Sequence, residues 1–166
     1  MNLRLRFALF AGLGLLFADA AALAGETSGL PLPRFVSLRS DEVNLRTGPG
    51  VRYPIDWIYS RKDLPVEVIA EFEAWRKIRD WQGTEGWVHQ SMLTGRRMMV
   101  VMGQARSLRS SDADSSDPVA VVEPGVLGRI VQCPRNRDFC RIEIDHAQGW
   151  MRRDEIWGVY KGEWIE

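Results

Sequence analysis

A segment of this chain occurs twice, about 63 residues apart, and the duplication constrains the fold more than any other feature. Leu45-Arg46 matches Leu108-Arg109, Gly86-Trp87 matches Gly149-Trp150, Leu93 matches Ile156 and Gly95 matches Gly158, all at one spacing. Between these anchors the spacing slips by one residue, pairing Pro54 with Pro118, Trp75 with Phe139 and Ile78 with Ile142. A unit of about 60 residues that recurs in order is a domain duplication, so two small domains are expected rather than one core. Units this small bury a modest fraction of their surface and are marginally stable alone. A small duplicated unit rich in β-formers points to a binding module before it points to an enzyme.

The first 24 residues read as a secretory signal. Arg4 and Arg6 precede an apolar run over residues 7–17, and Ala22-Leu23-Ala24 supplies a small-x-small cleavage site before Gly25. The run is too short for a membrane helix, which needs about 20 apolar residues, so no stable span is expected after cleavage. No Cys follows it to accept a lipid. Removing Arg4, Arg6 and Asp19 from 22 basic and 22 acidic side chains leaves the remainder near neutrality, without the basic surplus that nucleic acid would require. A periplasmic or secreted location follows.

Cys133 and Cys140 fit an oxidising compartment. Strand-like residues flank them on both sides and the turn-former Asn136 lies between, which puts the two sulfurs across a hairpin. Closing so short a loop is worth about 2.5 kcal/mol on chain entropy. A zinc site would want four ligands at closer spacing, and the chain has two His, so neither a metal nor any other cofactor is expected.

Residues 25–33, GETSGLPLP, form a linker with polyproline character. From Arg34 the pattern becomes short β-like pieces: 35–38, 43–45, 65–70, 75–79 and 84–89, with a single helical turn at 91–93. The run 47–54, TGPGVRYP, is dense in turn formers. The second copy repeats the order at 98–102, 107–109, 119–122, 126–133, 139–144 and 149–151, with SSDADSSDP in place of the glycine-bearing loop. Strands at intervals of about ten residues predict an all-β fold of two tandem small barrels, at 34–96 and 97–166, the second carrying a short C-terminal tail. Arg96-Arg97 is the seam, and with almost no linker there the barrels should touch.

VNLRTGPGVRYP followed by AWRKIRDWQGTEGWVHQSML resembles the bacterial SH3-like (SH3b) domain, whose pattern is a Val-Asn-x-Arg-x-Gly-Pro opening, a Trp-x-x-Val/Ile strand and a Gly-Trp-Val close. The match covers residues 38–95. The second copy resembles the family in outline: it keeps Leu108-Arg109, Pro118, Ile142 and Gly149-Trp150, but lacks the Gly-Pro-Gly loop and has Phe139 in place of Trp75. The resemblance implies two five-to-six-stranded barrels and an envelope or extracellular role, often cell-wall attachment or peptide recognition.

Seven Trp are the strongest chemical bias. Successive strand residues face opposite sides, so if Ile78 and Val88 line the barrel, Trp75 and Trp87 point outward, toward a covering loop, the partner barrel or a ligand. Tyr53 and Trp57 beside the glycine-rich loop, and Trp81 at a hairpin tip, form a cleft that stacks on sugar, proline or peptide, or else pack under their own loops. Arg46 supplies a fork for a carboxylate, or is a solvated face. The ligand-binding candidates are therefore Arg46, Tyr53, Trp57, Trp75 and Trp81. TGPG lacks the Lys and following helix of a phosphate loop; its expected role is a bend with positive φ at Gly48 and Gly50. No catalytic residue is assigned, because the only thiols are the bridged pair, His89 aligns with Arg152 at a solvated strand end and His146 follows Asp145 in a turn. The expected function is an exported, non-enzymatic module that recognises peptidoglycan or an envelope peptide or protein. An envelope scaffold or regulatory partner is the alternative, and a cell-wall hydrolase a remote one.

Overall fold

The computed structural model describes residues 27–166. The predicted signal, residues 1–24, lies outside the described residues, as do Gly25 and Glu26 of the linker. The first unit contains β1 (Arg34–Leu38), β2 (Val43–Arg46), β3 (Ile55–Tyr59), β4 (Pro65–Phe72), β5 (Trp75–Arg79), β6 (Glu85–His89) and β7 (Leu93–Thr94). The second contains β8 (Met98–Val101), β9 (Arg106–Arg109), β10 (Pro118–Val122), β11 (Leu127–Gln132), β12 (Phe139–Ile144), β13 (Ala147–Arg152) and β14 (Ile156–Trp157). A 3-10 turn precedes the last strand of each, at Gln90–Met92 and Arg153–Glu155.

The strand orders are β3-β2-β6-β5-β4-β1-β7 and β10-β9-β13-β12-β11-β8-β14, the same arrangement twice, in two antiparallel sheets. Each has seven strands, which corrects the five-to-six that the resemblance implied. The surplus comes partly from the two-residue strands β7 and β14, which pair with the opening strands of their own units. The other addition is β3, a segment without a regular apolar alternation, in which only Tyr59 is buried.

The repeat anchors are points of backbone contact. Arg46 of β2 pairs with Trp87 of β6, and Arg109 of β9 with Trp150 of β13. Here the crossing strand passes directly over the buried Leu45 or Leu108. A Cβ on Gly86 would sit 2.5 Å from Leu45 Cγ and 3.0 Å from the Arg46 carbonyl oxygen; on Gly149 it would sit 2.6 Å from both Leu108 Cγ and the Arg109 carbonyl oxygen. Only glycine permits the approach. Burying Leu45 is worth about 1.5–3 kcal/mol by transfer, so the missing side chain at Gly86 is offset by what it allows beneath it.

Parity holds as expected: Ile78 and Val88 are fully buried, while Trp75 and Trp87 face the other way and are half-buried. Two cores result, one around Leu38, Leu45, Val66 and Ile78, the other around Met99, Leu108, Ile142 and Met151.

Aligning the hairpins on the pairs Val68↔Ile78 and Ile130↔Ile142 exposes an exchange. Each pair is followed by a register shift and then by Ala70↔Lys77 or Gln132↔Arg141. The next position holds Glu71 and Arg76 in the first unit, joined by an ion pair of 3.1 Å, and Cys133 and Cys140 in the second, joined as a disulfide. One hairpin site thus carries an electrostatic clamp in one copy and a covalent clamp in the other. Glu71 also accepts from the Ser28 backbone N–H and hydroxyl, each at 2.7 Å, and pairs with Arg34, so the linker is tied down at Ser28.

The units touch, as the short seam demands. Phe35 of β1 meets Trp157 edge-on, with ring centres 5.2 Å apart, and Tyr160 at 4.6 Å. The Tyr160 hydroxyl donates to Glu67 Oε1 at 2.7 Å, and Arg61 donates to the Gly125 carbonyl at 2.8 Å. Glu67 points away from the first core, yet the contact with the second unit leaves it only 3% exposed. The C-terminal segment that brings Tyr160 is held by Arg97, which grips Glu163, and by a bridge between Cys133 and Ile165.

Candidate functional site

The glycine-rich loop between β2 and β3 is rigid for local reasons. Arg46 donates to the carbonyls of Val51 at 3.2 Å and Tyr53 at 2.8 Å, stitching the loop to the strand that precedes it. Its guanidinium thus braces the loop through Nη1. Tyr53 lays its ring on Gly48, where a Cβ would come within 2.6 Å of Tyr53 Cγ. The expected positive φ at Gly48 and Gly50 is not found: neither is among the positive-φ glycines, and Gly48 is required for space under an aromatic ring. Arg52 stands over the outer side of that ring, 5.1 Å from its centre.

Opposite this loop is the two-residue turn between β4 and β5, where Glu73 takes φ 50°. A groove of about 570 Å³ lies between them, lined by residues 49–52, by Phe72, Glu73 and Trp75, and by His89 at the end of β6. Trp75 and His89 are cross-strand partners with their rings edge-to-face, 5.4 Å between centres. His89 Nδ1 lies 2.7 Å from the Ser91 hydroxyl oxygen and 3.3 Å from the Ser91 backbone nitrogen. Val51 is 78% exposed at the rim and Phe72 is 39% exposed on the opposite wall. Arg52 and Glu73 give the two rims opposite charge. The site is therefore a shallow aromatic and aliphatic trough with a cation on one bank and an anion on the other.

Of the residues singled out from sequence, Trp75 lines the groove and Tyr53 and Arg46 hold its loop in shape. Trp57 does not reach it. It sits on β3, an edge strand rather than the loop to which its sequence position assigned it, and is 55% exposed beside Ile55 and Ile58. Trp81, at the hairpin tip, packs partly against the first core. Nearby, Tyr59 donates to Asp80 at 3.0 Å, and burial, followed by the Asp80 charge, pushes its phenol pKa upward. The rim residues Val51, Arg52, Phe72, Glu73 and His89 were not picked out. Phe72 carried no readable signal: alternation from the buried Val66 and Val68 puts it on the core side, and the register shift between Val68 and Ala70 turns it outward.

In the second copy Phe139 and Arg152 take the places of Trp75 and His89. The two Cys are joined to each other and no other cysteine exists, so no thiolate is at hand. Among the described residues no group of three or more His, Cys, Asp or Glu is placed to hold a metal ion, and no helix is long and apolar enough to cross a membrane.

A family model described as the bacterial SH3 domain matches the chain at residues 39–95 and again at 107–158. None of the curated proteins matches. Among solved structures, NlpC1 from Trichomonas vaginalis is similar at 15% identity and TM-score 0.35, with 84% of this chain and 50% of that one covered. NlpC2 from the same organism is similar at 11% identity and TM-score 0.36, with 76% and 48% covered. This chain spans about half the length of each.

Proposed function

Because this chain belongs to the bacterial SH3 domain family, in two copies, we propose that it is an exported binding protein whose first unit holds a peptide of the cell envelope, peptidoglycan stem peptide foremost, in the groove beside Trp75. Family membership suggests a binding module, and such domains are typically extracellular or envelope-associated. The observation that carries the reading is the open trough between a loop braced by Arg46 and a turn braced by Arg76, which donates to the Glu73 carbonyl at 2.6 Å. Pre-organised walls spare a ligand the entropy of ordering them. A peptide backbone stacks on the Trp75 indole, its aliphatic side chains reach Val51 and Phe72, and its charged groups meet Arg52 and Glu73. Both thiols are consumed in a disulfide, which favours holding over turnover.

The test is retention on purified sacculi, with Trp emission read in parallel. Trp75→Ala should abolish retention while leaving the unfolding free energy within about 0.5 kcal/mol of the parent, since the side chain packs outside the core. Retention unaffected by this change would remove the groove from consideration, and no retention by wall or free stem peptide would remove the wall ligand.

One observation favours a protein partner instead. β3 is an unpaired sheet edge carrying the exposed Ile55, Trp57 and Ile58, a surface suited to adding a strand from another chain. Cross-linking from position 57 that trapped one defined envelope protein would support the scaffold reading.

A further inference from the structure

Because the two units repeat one architecture, equivalent places can be compared directly. In the first, the loop at 49–52 and His89 line an open groove. In the second, the acidic loop that replaces TGPG crosses the corresponding space. Asp114 Oδ2 accepts from the Arg152 guanidinium at 2.9 Å, and Asp112 Oδ2 lies 3.4 Å from Arg137 Nε. Arg152 stands over the Phe139 ring, 5.5 Å from its centre. Ser116 Oγ donates to the carbonyls of Ser111 and Ala113, which shapes the loop so that both carboxylates reach across. Two carboxylates belonging to the chain itself therefore sit where the other copy has room for a ligand.

Beside this crossing lies a cavity of about 390 Å³ bounded by Asp138, Arg152, Arg153, Asp154 and Lys161. Arg153 is only 8% exposed, and its donors all go to carbonyls, those of Pro134, Arg137, Tyr160 and Glu163. A buried guanidinium served by carbonyls alone has its hydrogen bonds satisfied and its charge uncompensated. Burial accordingly pushes its pKa down, against the pull of Glu163 and Asp138. Asp154 is spent on Arg152, at 3.2 Å. With Asp114 displaced from Arg152, three cations against two acids leave the cavity one positive charge in surplus.

We propose that the second unit holds a separate carboxylate-binding site built on Arg152, Arg153 and Lys161, and that its own acidic loop is a built-in competitor for it. Arg152 supplies a hydrogen-bonding guanidinium, as its Nη1 already does for Asp114. Lys161 supplies a mobile ammonium, and Arg153, whose donors are engaged, contributes charge. The ligand is a peptide bearing a side-chain or terminal carboxylate. It gains access to Arg152 by displacing Asp114, so binding to the resting protein is weak. No residue is shared with the groove of the first unit, and either site can fail without the other.

The probe is a Ser-Asp-Ala-Asp-Ser-Ser peptide, the sequence of residues 111–116, labelled at its N-terminus with an uncharged dye and amidated at its C-terminus, titrated by anisotropy against the full chain. Releasing two exposed ion pairs should make D112N/D114N bind about two- to thirtyfold more tightly than the parent. K161Q in that background should reverse the gain, and a probe with Asn in place of both Asp should not bind. Trp75→Ala should change none of these values. If D112N/D114N fails to fold, D112S/D114S replaces it, serine being already frequent in the loop. Equal affinity of parent and loop variant overturns the competitor, and no binding to the loop variant, or binding indifferent to K161Q, overturns the site.

Discussion

Reducing the Cys133–Cys140 bond tests whether the two hairpin clamps are equivalent in kind. The bridge spans a sequence separation of 7 and both cysteines are fully buried. The free thiols remain enclosed after reduction, so little folded-state surface changes. The loss then acts through the unfolded chain, which regains the freedom of a short loop, worth about 2.5 kcal/mol. For a unit of this size a change of 1 kcal/mol moves the midpoint by about 4–8 °C, which makes the expected fall about 10–20 °C. Differential scanning calorimetry with and without a phosphine reductant reads this directly. The first unit contains no cysteine, so separate transitions should show the second unit moving further. A midpoint that stays within about 2 °C after complete thiol titration would refute the argument, and would mean that the hairpin is held by its strand pairing and the Cys133–Ile165 bridge alone.

Gly86→Ala should cost about 1–3 kcal/mol, because the new methyl meets Leu45 and a backbone carbonyl that cannot withdraw, and Gly149→Ala should cost the same in the second unit; urea titration with an unchanged slope checks both. Acid should weaken the first unit through Glu71. Burial raises its pKa, but the Ser28 hydrogen bonds and the Arg34 guanidinium prevail and hold it at about 2, below the ordinary 4.5. The stabilisation from this depressed group is complete above pH 4.5 and is lost as pH falls toward 2, and Glu71→Gln should remove that part of the acid dependence of Trp emission. Tyr160→Phe removes the hydroxyl that reaches Glu67 across the seam and should cost about 1 kcal/mol, seen as faster amide exchange in β4 and β8 without loss of either core.

What the sequence disclosed was whatever a strand or a repeat enforces locally. The Leu-Arg and Gly-Trp anchors were visible because the same crossing recurs in both units and tolerates no side chain at Gly86 or Gly149. The disulfide was visible because its partners close one hairpin. β3 was missed because Ile55, Asp56, Trp57 and Ile58 are all exposed, and an edge strand with neither face buried leaves no alternation to read. The groove was only partly legible. Trp75 was identified by parity, but the opposite wall comes from a loop more than twenty positions away, and nothing in TGPGVRYP states which turn it will face. Arg46 looked like a free fork because its partners are carbonyls, which no side-chain pattern records. The exchange of Glu71–Arg76 for Cys133–Cys140 was hidden by a two-residue difference in hairpin length, which only the strand register reveals.

The pairing of each opening strand with its closing strand, Leu38 against Leu93 and Val101 against Ile156, has a topological consequence. Entrance and exit of a unit lie side by side at a single rim, so copies can be threaded in series with almost no intervening chain, as residues 95–97 do here. Such a design is indifferent to where the polypeptide is nicked. A circular permutant of the first unit that joined its adjacent ends and opened at the 47–54 bend would keep every strand neighbour it has now.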